Sequence, residues 1–291
     1  ANQLAALAPG GATGRVYNVA PGGATTVNEL SSKSSVQLTV AAKDGPIRII
    51  YGRQQVWGEI YTHGFDAGAY VVGVKWCMGE IDEVEAIYID DAPPVVGVTR
   101  TDFLGTTSQG VSTALQAALP GYNDNLVYTT PAGHKFGIAH TVIRIPTSSM
   151  SAPPKQYRAI IKGRKCLDPR SGLWVYTESP ALQLYDLLTA PEIGVGMQVL
   201  GVEALADFND TIMSDSLPRN RCSIVFDSPA EAMSQAALLA EYADCIFPVW
   251  EGAAIRLVPD APVSGPLPII DVDEIILDSA EMSVSGLMQA P

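Results

Sequence analysis

Residues 157–197 read YRAIIKGRKCLDPRSGLWVYTESPALQLYDLLTAPEIGVGM, and this stretch decides the fold. An alternating apolar strand runs into Gly163, Arg164 and a tight turn at Asp168 and Pro169. A short strand around Trp174 follows, then Ser179 and Pro180 as the cap and first residue of a helix. Leu182, Tyr185 and Leu188 recur at helical spacing with Leu184 and Leu187 beside them, so the predicted helix buries a broad face. Gly194 and Gly196 stop what comes next. Strand, turn, strand and helix are all present, and no residue in the stretch forms a recognisable catalytic set.

Working outward toward the C-terminus, a second helix is predicted from Val202 to about Ser214. A third starts at the capping box of Ser228 and Glu231. The segment CIFPVWEGAAIRLVPD then reads as a β-hairpin across Glu251 and Gly252. Helices on a sheet make 151–291 an α+β domain. Toward the N-terminus, the Ser/Pro-rich residues 147–155 mark a linker. Before it lie PIRIIYG, VWGEIY, AYVVGVKWCMG, VEAIYIDD and HTVIRIP, short strands at hairpin spacing, with Gly52 to Gln55 read as a gap between the first two. A short helix, VSTALQAAL, ends at Pro120 and Gly121 inside a helical and loop insertion near 99–140. Residues 46–150 are therefore expected to form a β-rich domain, and the whole an α+β, mainly β protein of small antiparallel, barrel-like units. Residues 1–45, rich in Gly, Ala, Ser and Thr, read either as an extended arm settling on something else or as chain disordered in isolation.

Composition narrows the function classes. The 291 residues are 47% hydrophobic and 17% charged, which argues against wholesale disorder and leaves wide neutral surfaces of the kind buried in assemblies. A net charge of −13, with no basic stripe, is a poor basis for gripping a phosphate backbone. No apolar run reaches the roughly 20 residues of a membrane span. The opening ANQLAALAPGGATG has no basic region ahead of its apolar residues, unlike a signal peptide. Cys77, Cys166, Cys222 and Cys245 are widely spaced and read as reduced thiols; a Cys222–Cys245 bridge is open on sequence grounds.

Catalytic and cofactor motifs are not found. There is no GxSxG elbow, HExxH, P-loop or close Cys/His ligand pair, so no cofactor or metal is expected. GVGMQVLG (194–201) lacks GxGxxG spacing and follows a helix rather than a strand. The acids Glu80, Asp82, Glu83, Glu85, Asp90 and Asp91 are interrupted by apolar residues where a calcium loop needs ligands, and read as a solvated hairpin face. Glu178, Asp186, Glu192 and Glu203 are the carboxylates available for a glycosidase-type pair. Trp57, Trp76, Trp174 and Trp250 lie in or beside strands and are expected to pack in cores or interfaces.

Several of these segments, in order, resemble the central hub, or tail-tip attachment, proteins of long-tailed bacteriophages and phage-like gene transfer agents. They are IRIIYGRQQVWGEI, AYVVGVKWCMGEIDEVEAIYIDD, GTTSQ (105–109), the 157–196 stretch with its KG, DPR, W, SPA, DLLT and GVG elements, and CIFPVWEG. The resemblance covers about residues 46–262, and departs from the family at Ser179, where Asn is common. Family chains usually continue beyond the equivalent of Pro291, so this chain is either a portion of a longer protein or a minimal hub.

The resemblance implies a non-enzymatic homotrimer at the distal tail tip, assembled in the bacterial host cytoplasm. It would contact the distal tail ring, the tape-measure protein and other tip or fibre proteins, with DNA passing through its lumen on ejection. The positions it marks as scaffold are Tyr51, Gly52, Gly163, Arg164, Asp168, Pro169, Trp174, Ser179, Pro180, Asp186, Gly194, Gly196, Pro248 and Trp250. Two other classes stay open at this point: a tail-associated peptidoglycan hydrolase, and a receptor- or carbohydrate-binding module.

Overall fold

The computed structural model describes residues 47–192, 196–227 and 232–261. The predicted arm, Gly194 and the Ser228/Glu231 capping box lie outside them. The chain opens with β1 (Ile49–Tyr51), β2 (Arg53–Trp57), β3 (Glu59–Asp66), β4 (Ala69–Met78), β5 (Ile81–Ile89) and β6 (Thr99–Leu104). Helix α1 (Thr113–Ala118), β7 (Val127–Thr129), β8 (Lys135–Pro146) and β9 (Tyr157–Arg164) come next. The hairpin β10 (Cys166–Asp168) and β11 (Leu173–Val175) leads to α2 (Pro180–Thr189), β12 (Val199–Leu200) and α3 (Val202–Asp210). After β13 (Ile224–Phe226) and α4 (Ala232–Tyr242), the hairpin β14 (Cys245–Glu251) and β15 (Ala254–Pro259) closes the described order.

The architecture is α+β and mainly β, as the alternation predicts. A five-stranded sheet runs β3-β4-β8-β6 with β7 on β8, and a three-stranded sheet runs β2-β9-β5. Their facing sides enclose one core, in which Val72, Val74, Trp76, Ile143 and Ile145 meet Val56, Ile81, Val84, Tyr157, Ala159 and Ile161. The sheets pack without closing into a barrel among the described residues.

β4 reads as an almost unbroken apolar run because it is covered twice. Its even-numbered side faces that core, while Val71 packs with Leu115 and Ala118 of α1 and Val142 of β8. α1 forms where predicted, with the Ser112 hydroxyl accepting from the Leu115 N–H. β9 follows the 147–155 linker yet pairs with both β2 and β5, so this sheet draws strands from both sides of it.

A second core gathers the helices. Leu182, Leu184, Leu187 and Leu188 of α2 pack with Leu205 and Ala206 of α3, Ala236, Leu239 and Ala240 of α4, and Ile255 and Leu257 of β15. The small residues Ala236 and Ala240 permit α4 to approach α2 closely. β1 stands between the two cores: Ile49 and Tyr51 face the helices, and Ile50 faces the sheets. Strand alternation thus wires the halves together through three residues.

Four local expectations differ in detail. Gly52 alone redirects the chain, at φ +66°, and β2 starts at Arg53, so 52–55 is a kink and a polar edge strand instead of a gap. Ser179 does precede α2, but its buried hydroxyl caps nothing. The buried Asn209 of α3 caps it in trans, its Oδ1 accepting from the Ala181 N–H at 3.2 Å while its Nδ2 donates to the Ala243 carbonyl at 2.8 Å. α3 ends at Asp210, one turn before the predicted stop. The acidic hairpin face is cross-braced by β2 and β9 cations, with Glu83 on Lys162 at 2.8 Å and Glu85 on Arg53 at 2.7 Å. All four cysteines are free thiols, including Cys222 and Cys245.

His140 is a buried titratable group of β8, stacked on Phe103 with centroids 4.4 Å apart and edge-on to Tyr61. Burial pushes its pKa down to about 4, helped by Lys75 across the β4–β8 ladder and opposed by its bond to the Ile138 carbonyl and by Asp124. Because the folded pKa lies below the unfolded one, the unfolded chain binds the extra proton between pH 6.5 and 4, and stability falls as pH drops through that window. The expected loss from this one group is about 3 kcal/mol. His140→Phe should remove that share from the acid limb of urea-unfolding free energies, since Gln109 still donates to the Ile138 carbonyl. Equal pH slopes for the two proteins would refute the assignment.

Candidate functional site

The predicted scaffold positions fall into groups. Tyr51, Gly52, Gly163, Arg164 and Asp186 converge where β1, β9 and α2 meet. Arg164 Nε donates to Asp186 Oδ2 at 2.7 Å, Nη2 donates to Glu192 Oε1 at 2.5 Å, and the Tyr51 hydroxyl donates to Asp186 Oδ2 at 2.7 Å. Arg164 and Asp186 are 3% and 2% exposed, so this ionic knot is dry and its charges depend on one another. Burial raises the Asp186 carboxyl above its ordinary range and raises the Tyr51 phenol well above its own. Burial works against the guanidinium too, but Asp186, Tyr51 and Glu192 outweigh it and hold Arg164 protonated.

The backbone around the knot is packed to contact. A Cβ on Gly163 would sit 2.3 Å from the Ile50 carbonyl oxygen, and one on Gly52 would sit 2.3 Å from the Ser223 hydroxyl. The Gly163 N–H donates to the Gly52 carbonyl at 2.8 Å across this crossing. The glycines of the YG and KG elements are therefore steric requirements.

Asp168 and Pro169 form the β10–β11 turn. Arg170 folds back onto Asp168 with two bonds of 2.9 Å and reaches Asp207 and Asp210 of α3 at 3.0 and 2.8 Å. That clamp holds up the hairpin bearing Leu173 and Trp174, which are 62% and 58% exposed. Pro180 begins α2 as predicted, and Gly196 takes a left-handed φ of +66°. Pro248 and Trp250 lie on β14, in the separate β12-β15-β14 sheet, and Trp250 is 55% exposed. Of the four tryptophans, Trp76 is buried, donating to Thr141, whereas Trp57, Trp174 and Trp250 stand at the surface.

Above the knot lies a cleft of about 360 Å³. Its walls are the β4–β5 turn at Gly79 and Glu80, the loop 105–108, the start of β8 and Trp174, and Arg164, Lys165 and Glu192 also line it. Gln109 holds the loop: its Oε1 accepts from the Gly105 N–H at 3.0 Å, and its buried Nε2 donates to the Asn125 and Ile138 carbonyls at 2.9 and 3.1 Å. That role is not readable from GTTSQ, and nothing in the spacing points to Asn209 or Arg170 either.

Chemically, three of the four carboxylates considered for hydrolysis are held in ion pairs, and the fourth, Glu203, is exposed in the first turn of α3. Asp186 and Glu192 both pair with Arg164, and Glu178 pairs with Arg221. Among the described residues, no group of His, Cys, Asp or Glu is arranged to hold a metal ion, and no helix is long and apolar enough to cross a membrane. The site is a buried ionic scaffold beside a hairpin that exposes Leu173 and Trp174.

No family model matches the chain, and no curated protein matches it. A solved structure, "Virion of native gene transfer agent (GTA) particle", aligns with a TM-score of 0.43 at 13% identity, covering 79% of this chain and 56% of that one. The chain thus spans just over half the length of that neighbour.

Proposed function

We propose that this chain is a structural protein of a phage-type virion, the homotrimeric central hub at the distal end of the tail. Its parts are an N-terminal arm (1–45) and two hub-type domains, 46–150 and 151–291, the second lending β9 to the β2-β9-β5 sheet of the first. It closes the tail channel, anchors the end of the tape-measure protein and opens for DNA ejection on host contact, with the distal tail ring and tip or fibre proteins as its other neighbours. It has no enzymatic role, and its net charge of −13 keeps passing DNA from adhering to the lumen.

The observation that carries the reading is what the resembling segments build. The YG, KG, DPR and DLLT residues form an ion-locked, glycine-packed scaffold, and the same segments leave Trp174 and Trp250 exposed on short hairpins. Rigid display of large aromatic side chains suits assembly contacts. β14 adds an outer edge that pairs with no strand among the described residues and leaves Ile246 and Trp250 exposed, an arrangement that favours strand-to-strand contact between copies.

Native mass spectrometry tests this: a trimer is expected at micromolar concentration. Trp250→Glu should shift it at least about tenfold toward monomer, the equivalent of 1.4 kcal/mol, with an unchanged thermal midpoint. A monomer at every concentration would overturn the hub reading. A peptidoglycan zymogram band abolished by one carboxylate substitution would replace it with the hydrolase.

A further inference from the structure

The cleft over the ionic knot has a lopsided inventory of polar groups. Its two carboxylates are each held by a cation, Glu192 by Arg164 at 2.5 Å and Glu80 by Lys165 at 3.0 Å. Several of its donors are not held in this way. The backbone N–H groups and hydroxyls of Thr106, Thr107 and Ser108 donate to no described residue, Lys135 at the start of β8 forms no ion pair among them, and Thr107, Ser108 and Lys135 are exposed at the mouth of the cleft. Arg164 is shared by Glu192 and the buried Asp186, and Lys165 is taken by Glu80, so the cleft and the knot beneath it are close to neutral within a chain of −13, and Lys135 is the cation of the lining that forms no ion pair among the described residues. Trp174, 58% exposed, adds a flat apolar wall.

Both walls are fixed in advance. Gln109 staples the loop from behind, and the Arg170 clamp fixes the turn of the Trp174 hairpin. A ligand therefore meets loop N–H groups already in place, while the exposed Lys135 side chain is ordered on binding. The volume of about 360 Å³ lies toward the small end of the roughly 300–1,000 Å³ typical of ligand sites, enough for one or two sugar rings.

Surplus donors and a cation ask for an oxyanion, and an exposed indole face asks for a ring with apolar C–H faces. We propose that this cleft binds a saccharide carrying a carboxylate or phosphate group. The anion sits between Lys135 and the 105–108 loop, and a sugar ring lies on Trp174. The site goes beyond the hub role but shares Trp174 with the exposed aromatic surface of that reading, so Lys135→Glu, which leaves Trp174 and Trp250 in place, is the variant that separates loss of sugar binding from loss of the trimer.

Calorimetric titration of the full chain at low salt tests the proposal with four probes: a glucuronate-containing tetrasaccharide, N-acetylglucosamine 1-phosphate, neutral chitotetraose and hexaglutamate. At least one of the first two should bind, at least about tenfold more tightly than chitotetraose, and which one binds identifies the anion. Lys135→Glu and Trp174→Ala should each weaken binding by about tenfold or more, a difference of 1.4 kcal/mol, with thermal midpoints unchanged. Added salt should weaken it further. Equal binding of chitotetraose, no binding of either anionic sugar, or full affinity in both variants overturns the proposal. Preference for hexaglutamate also overturns it, in favour of an acidic peptide partner.

Discussion

Replacing Arg164 by Met is expected to destabilise the protein by about 3–5 kcal/mol, the usual cost of stranding a buried partner charge. The guanidinium is the only cation bonded to Asp186 among the described residues, and it also neutralises Glu192. Without it, Asp186 keeps a single bond, from the Tyr51 hydroxyl, in a site 2% exposed. The stranded carboxylate must then stay ionised in a dry core or take up a proton. The destabilisation should therefore ease as pH falls toward the raised carboxyl range and the proton is supplied. Removing the charges together tests the same logic. Arg164→Met, Asp186→Leu and Tyr51→Phe combined should recover most of the loss, because no buried donor or acceptor of the Asp186 pair is left without a partner. Urea-unfolding free energies for the single and triple variants read this out. A single variant within about 1 kcal/mol of the parent, below the range for a broken buried pair, would mean that the knot does not hold the two cores together.

What can be read from residues alone follows the range of the interaction. α2 is legible because its signal is local: Pro180 at the first position and leucines at helical spacing specify it within one turn or two. The β14–β15 hairpin and α1 are legible for the same reason. The knot is legible only as a set of marked positions, because Tyr51 and Asp186 are 135 residues apart and nothing local tells either about the other. The cap of α2 shows the limit most clearly. Ser179 occupies the favoured position, yet tertiary packing buries its hydroxyl and gives the work to Asn209, which is 28 residues from the N–H it accepts from. β2 escapes a sequence reading because Arg53, Gln54 and Gln55 are polar at an edge, where a strand needs backbone pairing with β9 more than it needs apolar side chains. The surface position of three tryptophans is not readable at all, since a strand aromatic looks alike whether a core or a partner covers it.

Gly105→Ala is the second substitution with a large expected effect, and it separates two costs that glycine replacements usually mix. Gly105 has φ +83°, a conformation L side chains adopt at a cost of about 1–2 kcal/mol. Its added Cβ would also lie 2.1 Å from the Gly79 carbonyl oxygen, where the β4–β5 turn crosses beneath the loop. That atom is backbone, and it cannot swing aside. Two other glycines isolate the components. Gly133 has φ +90° and nothing within 4 Å of the place an added methyl carbon would take, so its alanine variant carries the conformational cost alone. Gly163 has an ordinary φ but would press its Cβ to 2.3 Å from the Ile50 carbonyl oxygen, so its variant carries the crowding alone, about 1–3 kcal/mol or more. The three sites share no partner atom, so their costs can be compared directly. Gly105→Ala should cost roughly the sum of the other two, about 2–5 kcal/mol, measured from urea midpoints at constant slope. It should also displace the 105–108 loop, because Gly79 and Gly105 cannot both keep their places. If Gly105→Ala proves no worse than Gly133→Ala, the close crossing is not a constraint, and the loop beside the cleft is held by Gln109 alone.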